Sequence, residues 1–146
     1  MSSQLRLDLK RIETSLRAVQ SKLDLINAAV GARRDPMDKR IIENMLAGYG
    51  YVARLIHDRI DLFVMGQHQH LLELNALVLC GTDSTRRAEY AAHRAATERR
   101  FYEEPNAGVE DIVEWLRLHP RRSVWERAAG VYLRALSKPQ LFIEGN

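Results

Sequence analysis

At 146 residues the chain is long enough for one ordinary domain with its own core, and 46% hydrophobic with 28% charged residues are globular proportions that exclude a disordered or fibrous chain. Its 22 Lys and Arg against 19 Asp and Glu leave a formal charge of +3, too small to demand a polyanionic partner, and the single cysteine, Cys80, excludes an intrachain disulfide. No apolar run approaches the roughly 18 residues that suggest a membrane span, so the expectation is a cytoplasmic protein without a membrane or nucleic-acid partner.

In chain order, Leu5, Leu9, Ile12, Leu16, Val19, Leu23, Ile26 and Val30 alternate spacings of four and three, a heptad seam on an amphipathic helix. Gly31 ends it, and Asp35-Pro36 offers an N-cap followed by a proline at the first helical position. A second stripe follows at Ile42, Met45, Tyr49, Val52, Ile56, Ile60 and Phe63, with Gly48 and Gly50 marking a close helix contact. Two such stripes across a short connection predict an antiparallel helical hairpin. The same seam would also serve as a homodimer surface, and both readings stand.

Gly66 breaks the run, and a leucine-rich helix from Leu71 to a stop at Cys80-Gly81 is expected to be buried, its thiol inert. Thr82-Asp83-Ser84 supplies N-cap candidates for an Ala- and Arg-rich segment that reaches Tyr102, where a short extended piece around Arg100 is expected. Asn106 is placed as the cap of a short helix carrying Val109, Ile112, Val113 and Leu116, closed by His119-Pro120. Ser123 and Glu126 form a capping box that opens the last helix. With Trp125, Ala128, Ala129, Val131, Tyr132, Leu133, Ala135 and Leu136, that helix is apolar on most sides and is predicted to be central to the core. Helical segments in succession without an alternating strand pattern make the fold all-α.

His57, His68 and His70 lie near Glu73, but His68 and His70 point to different sides of a helix, which favours polar contacts over a metal site. More informative is Gln140-Leu141-Phe142-Ile143-Glu144-Gly145-Asn146. A carboxylate followed by glycine and asparagine in a loop after a helix can hold a divalent cation, while glycine lets backbone amides converge on a phosphate. The same triplet also makes an ordinary turn.

This stretch resembles the active-site loop of the Fic (Fido-fold) family, His-x-Phe-x-Asp/Glu-Gly-Asn-Gly/Lys-Arg, with Phe142, Glu144, Gly145 and Asn146 matching position for position. Beside the hairpin read from the stripes over residues 1–66, the resemblance, which covers about half of the chain, implies a Fido-like helical bundle over 67–146, truncated at the active-site loop because the chain stops at Asn146 before the motif arginine. It implies Phe142 as the loop's anchor, Glu144 as the ligand of Mg²⁺, and Gly145 and Asn146 as contacts to the phosphates of ATP. It also implies AMP transfer to a hydroxyl of a protein substrate. Gln140, however, stands at the position of the family's catalytic histidine, and an amide cannot take a proton from a hydroxyl, so binding without turnover is expected. Glu43-Asn44 lies where some members carry an inhibitory helix, Ser/Thr-x-x-x-Glu-Gly/Asn, although Lys39 fills its Ser/Thr position. The alternative is a non-enzymatic helical interaction module that works through the Leu5 to Val30 seam.

Overall fold

The computed structural model describes residues 6–30, 37–104, 108–137 and 140–144. Among them are seven α-helices and no strand: α1 (Leu9–Ala29), α2 (Lys39–His57), α3 (Gln69–Cys80), α4 (Ser84–Glu89), α5 (Ala91–Glu103), α6 (Val109–Leu118) and α7 (Val124–Leu136). The fold is all-α.

Local capping chemistry sets most of the helix starts. Asp8 accepts from Arg11 N–H at 3.0 Å and opens α1, and Asp38 accepts from Ile41 N–H at 2.8 Å and opens α2. The proposed cap at Asp35-Pro36 and the stop at Gly31 lie outside the described residues, as does Asn106, and the residue preceding α6 is Gly108. Asp83 caps α4 through Thr85 and Arg86 N–H, and the Ser123–Glu126 box is closed in both directions. Hydrogen bonds from Ser123 hold the Glu126 carboxyl below its usual range.

Three expectations are corrected. The second helix ends at His57 rather than running to Phe63: Ile60 N–H returns to Leu55 O at 2.9 Å and Arg59 N–H to Ile56 O at 3.2 Å. Those two bonds make a Schellman stop, with Arg59 in the left-handed region at φ 57°. The piece around Arg100 is helical, inside α5, because its continuous backbone bonding outweighs the weak strand preference of Phe101 and Tyr102. The third correction concerns α7. Only Gly130 is buried there, and Trp125 is 83% exposed.

The core has two parts. Along the contact of α2 with α3, Ile42 and Leu55 of the one and Ala76, Leu77 and Cys80 of the other are buried. There Gly48 lets α2 approach Leu74 and Val78, and Asn44 donates to Val78 O at 3.2 Å. This contact joins α2 to α3 across the boundary drawn at residue 66. The other part is a cluster of Phe101, Val109, Ile112 and Leu141, with Phe63, Leu71, Leu72 and Phe142 packed around it. Helix α1 lies on α2 and buries no residue fully, leaving Val19, Ile26 and Val30 exposed along the seam and Leu25 exposed off it.

Why α7 stays outside follows from its seat. It faces α6 through Gly130, where a β-carbon would stand 1.9 Å from the Trp115 ring, so the indole lies directly on the α7 backbone. Arg134 sits over that ring, 4.7 Å from its centroid, and pairs with Asp111 at 3.4 Å. Val131 and Ala135 complete the contact with the core. One side of the helix is thereby used, and among the described residues nothing covers the other.

Candidate functional site

The loop after α7 is pinned by two apolar side chains. Leu141 is only 3% exposed, and its N–H donates to Ala135 O at 2.9 Å, folding the chain back on the end of α7. Phe142 lies parallel to Phe101 of α5, with ring centroids 5.8 Å apart and planes 5° from coplanar. Leu141 is buried and Phe142 half-buried against the core cluster, and the residues after them, Ile143 and Glu144, are exposed.

Glu144 is where that projection ends. Its carbonyl accepts from Asn75 Nδ2 at 2.8 Å, a contact between α3 and a loop 69 residues away. Its carboxylate is largely solvent-exposed, with Oε2 3.7 Å from His93 Nε2 of α5, close enough for an ion pair when the imidazole is protonated but too long for a hydrogen bond. A carboxylate placed this way keeps its lone pairs available to a hydrated cation. Among the described residues no three His, Cys, Asp or Glu side chains gather closely enough to form a metal cage. Mg²⁺ bound to a nucleotide does not require one, since one or two carboxylates, the phosphates and retained water complete its octahedron.

Asn75 also stands in the wall of a cavity of about 300 Å³ between α3 and α5, with Gln69, Leu72, Arg94, Thr97 and Glu98 around it. Thr97 is 2% exposed and its hydroxyl has no hydrogen-bond partner among the described residues. A buried hydroxyl left unpaired is costly, so water or a polar ligand in the cavity would satisfy it. Glu73 borders the same cavity but is held by Arg87, whose two terminal nitrogens lie 2.8 and 3.1 Å from the carboxylate oxygens. That clamp, more than the desolvation opposing it, raises the Arg87 pKa.

Of the residues singled out in the sequence, the structure brings Phe142 and Glu144 together with α3 and α5 and places Gln140 half-buried at the loop's start. Gly145 and Asn146 lie outside the described residues. Glu43 is exposed on α2, and its ion pair is with Lys39 of the same helix at 3.5 Å. His70 is bonded to the Tyr51 hydroxyl and to Gln67, and His68 is buried. Sequence reasoning missed Asn75 and His93. A lone amide inside the leucine-rich run of α3 was a usable signal for Asn75; nothing in the sequence around His93 marks it.

Comparison of the chain with protein-family models, curated proteins and solved structures returns no match.

Proposed function

We propose that the chain carries a Fic-like nucleotide-phosphate site on its 140–146 loop, within a Fido-like helical bundle. The observation that carries this reading is the pinned loop. Leu141 and Phe142 are packed inward while the Glu144 carboxylate is held outward by the Asn75 bond to its carbonyl. Phe142 is thus an anchor, as the resemblance implies, and the match of Phe142, Glu144, Gly145 and Asn146 to the motif supplies the chemistry. The exposed position of α7 withholds a second support, since the resemblance implies a buried helix before the loop.

In this reading Glu144 ligates the Mg²⁺ of Mg-ATP, Gly145 and Asn146 meet the phosphates, and the cavity beside Asn75 offers room for a polar part of the ligand. The bound cation would neutralise phosphate charge. The Gln140 amide holds no titratable proton near neutrality, so AMP transfer to a protein hydroxyl is not expected from this chain. Calorimetric titration of Mg-ATP into the protein tests the site. Heat from the wild type that disappears in Glu144→Ala is the expected result, and absence of heat from the wild type overturns the reading.

A second reading has its own observation. Val19, Ile26 and Val30 leave an apolar strip exposed along the seam of α1, which suits an interaction module with no chemistry of its own. Loss of self-association or partner binding in Ile26→Asp, with Mg-ATP heat absent throughout, would favour it.

A further inference from the structure

The two walls of the cavity of about 300 Å³ between α3 and α5 differ in chemistry. Helix α3 contributes Leu72 and Ala76, four residues apart and so on one face of that helix, as an apolar patch. Helix α5 contributes Arg94, Thr97 and Glu98, which spacings of three and four likewise put on one face. Arg94 and Glu98 stand at the separation where opposite charges commonly pair, yet neither side chain has a hydrogen bond or ion pair among the described residues. The other carboxylate of the cavity, Glu73, is already committed to Arg87. One positive and one negative charge are thus left uncommitted, beside a Thr97 hydroxyl that is buried without a partner.

We propose that this cavity is a binding site for a small aliphatic α-amino acid, its carboxylate on Arg94, its ammonium on Glu98 and its side chain against Leu72 and Ala76. Charge decides the class of ligand. A singly charged molecule satisfies one of the two groups and brings a like charge to the other, and a neutral one leaves both to water. A zwitterion answers both at once. The guanidinium fork takes a carboxylate in two parallel bonds and the Glu98 carboxylate accepts from an ammonium, each a charge-assisted bond stronger than its neutral counterpart. The unpaired Thr97 hydroxyl marks the same wall as one that needs a polar occupant.

Size narrows the choice further. The cavity stands at the bottom of the roughly 300–1,000 Å³ range of ligand pockets, room for an amino acid and too little for a whole nucleotide. The site does not rest on the nucleotide reading of the 140–146 loop. Asn75, in the cavity wall, meets the Glu144 carbonyl and not its carboxylate, so removing that carboxylate leaves the wall as it is.

Calorimetric titration with L-leucine to about 10 mM tests the site, a range that captures dissociation constants of about 1 mM and tighter. Leucine should give saturable heat. Leucinamide keeps the ammonium without the carboxylate, 4-methylpentanoate keeps the carboxylate without the ammonium, and each should bind about tenfold more weakly or less. Arg94→Gln should bring leucine level with leucinamide, because the group that told them apart is gone, and Glu98→Gln should bring it level with 4-methylpentanoate. Arg94 is half-buried and Glu98 exposed, so both variants should keep the circular dichroism and melting temperature of the wild type. Glu144→Ala should bind leucine like the wild type, whatever Mg-ATP does. Absence of leucine heat from the wild type overturns the proposal. So do equal affinities for leucine and its two analogues, a preference for leucine that survives both glutamine variants, or leucine binding that Glu144→Ala abolishes.

Discussion

Gly130→Ala and Gly50→Ala place the same methyl group in the interior of two helices, and the structure assigns them opposite signs. Alanine is favoured over glycine in a helix by about 1 kcal/mol. At Gly50 nothing lies within 4 Å of the new β-carbon, so that preference is realised and the protein gains about 1 kcal/mol. At Gly130 the β-carbon would stand 1.9 Å from Cη2 of Trp115 and 2.4 Å from Cζ2 and Cζ3. Carbon atoms pack at about 3.5 Å or more, so the indole or the helix must shift by about 1.6 Å.

The ring has little room to give, being flanked by the His119 imidazole at 4.8 Å and the Arg134 guanidinium at 4.7 Å. Overpacking of this order costs up to about 3 kcal/mol, which leaves a net loss of about 2 kcal/mol after the helix preference is credited. For a chain of this size the melting temperature should fall by about 6 °C in Gly130→Ala and rise by about 3 °C in Gly50→Ala. Thermal unfolding followed by circular dichroism measures both. In a Trp115→Ala background the obstacle is gone, and Gly130→Ala should then stabilise as Gly50→Ala does. A rise in melting temperature for Gly130→Ala on the wild-type background would refute the seating of α7 on Trp115.

Three further outcomes are expected. Arg59 holds a left-handed φ at the Schellman stop of α2, so Arg59→Gly should stabilise by about 1 kcal/mol in urea unfolding. The Glu126 carboxyl is held below its ordinary value of 4.5 by hydrogen bonds from Ser123, chiefly the backbone one. Its contribution is therefore present above that value and lost as pH falls through the lower folded one, so the urea midpoint should drop more between neutral pH and about pH 3 in the wild type than in Glu126→Gln. Phe142→Ala removes the stacked ring from Phe101 and should cost about 2 kcal/mol, short of the full value for a wholly buried phenylalanine, and should weaken Mg-ATP heat along with Glu144→Ala.

Much of this architecture follows from local rules that a sequence displays openly. The capping box at Ser123 and Glu126, the cap at Asp83 and the apolar face of α6 are settled within one or two helical turns, so residue types and spacings suffice. The burial of Cys80 is legible for the same reason: an unbroken apolar run has no side to offer water. Helix α2 shows where local reading fails. Ile60 and Phe63 continue the stripe, but the backbone turns at Arg59 and carries Phe63 into the second core cluster instead.

Tertiary structure decided two matters that periodicity could not. An apolar helix such as α7 announces that it needs neighbours, but how many it obtains depends on the surfaces brought to it, and a single seat beside Trp115 and the core cluster leaves half of it open. The position of Glu144 likewise rests on Asn75 and Phe101, residues far away in the chain that only folding brings within reach. Sequence thus determined where most helices begin, because helix formation and capping are short-range, but not where α2 ends or that the segment after Asp83 divides at Tyr90 into α4 and α5. Which faces are covered, and where the loop is pinned, are sums over contacts between distant segments and existed only once the chain had packed.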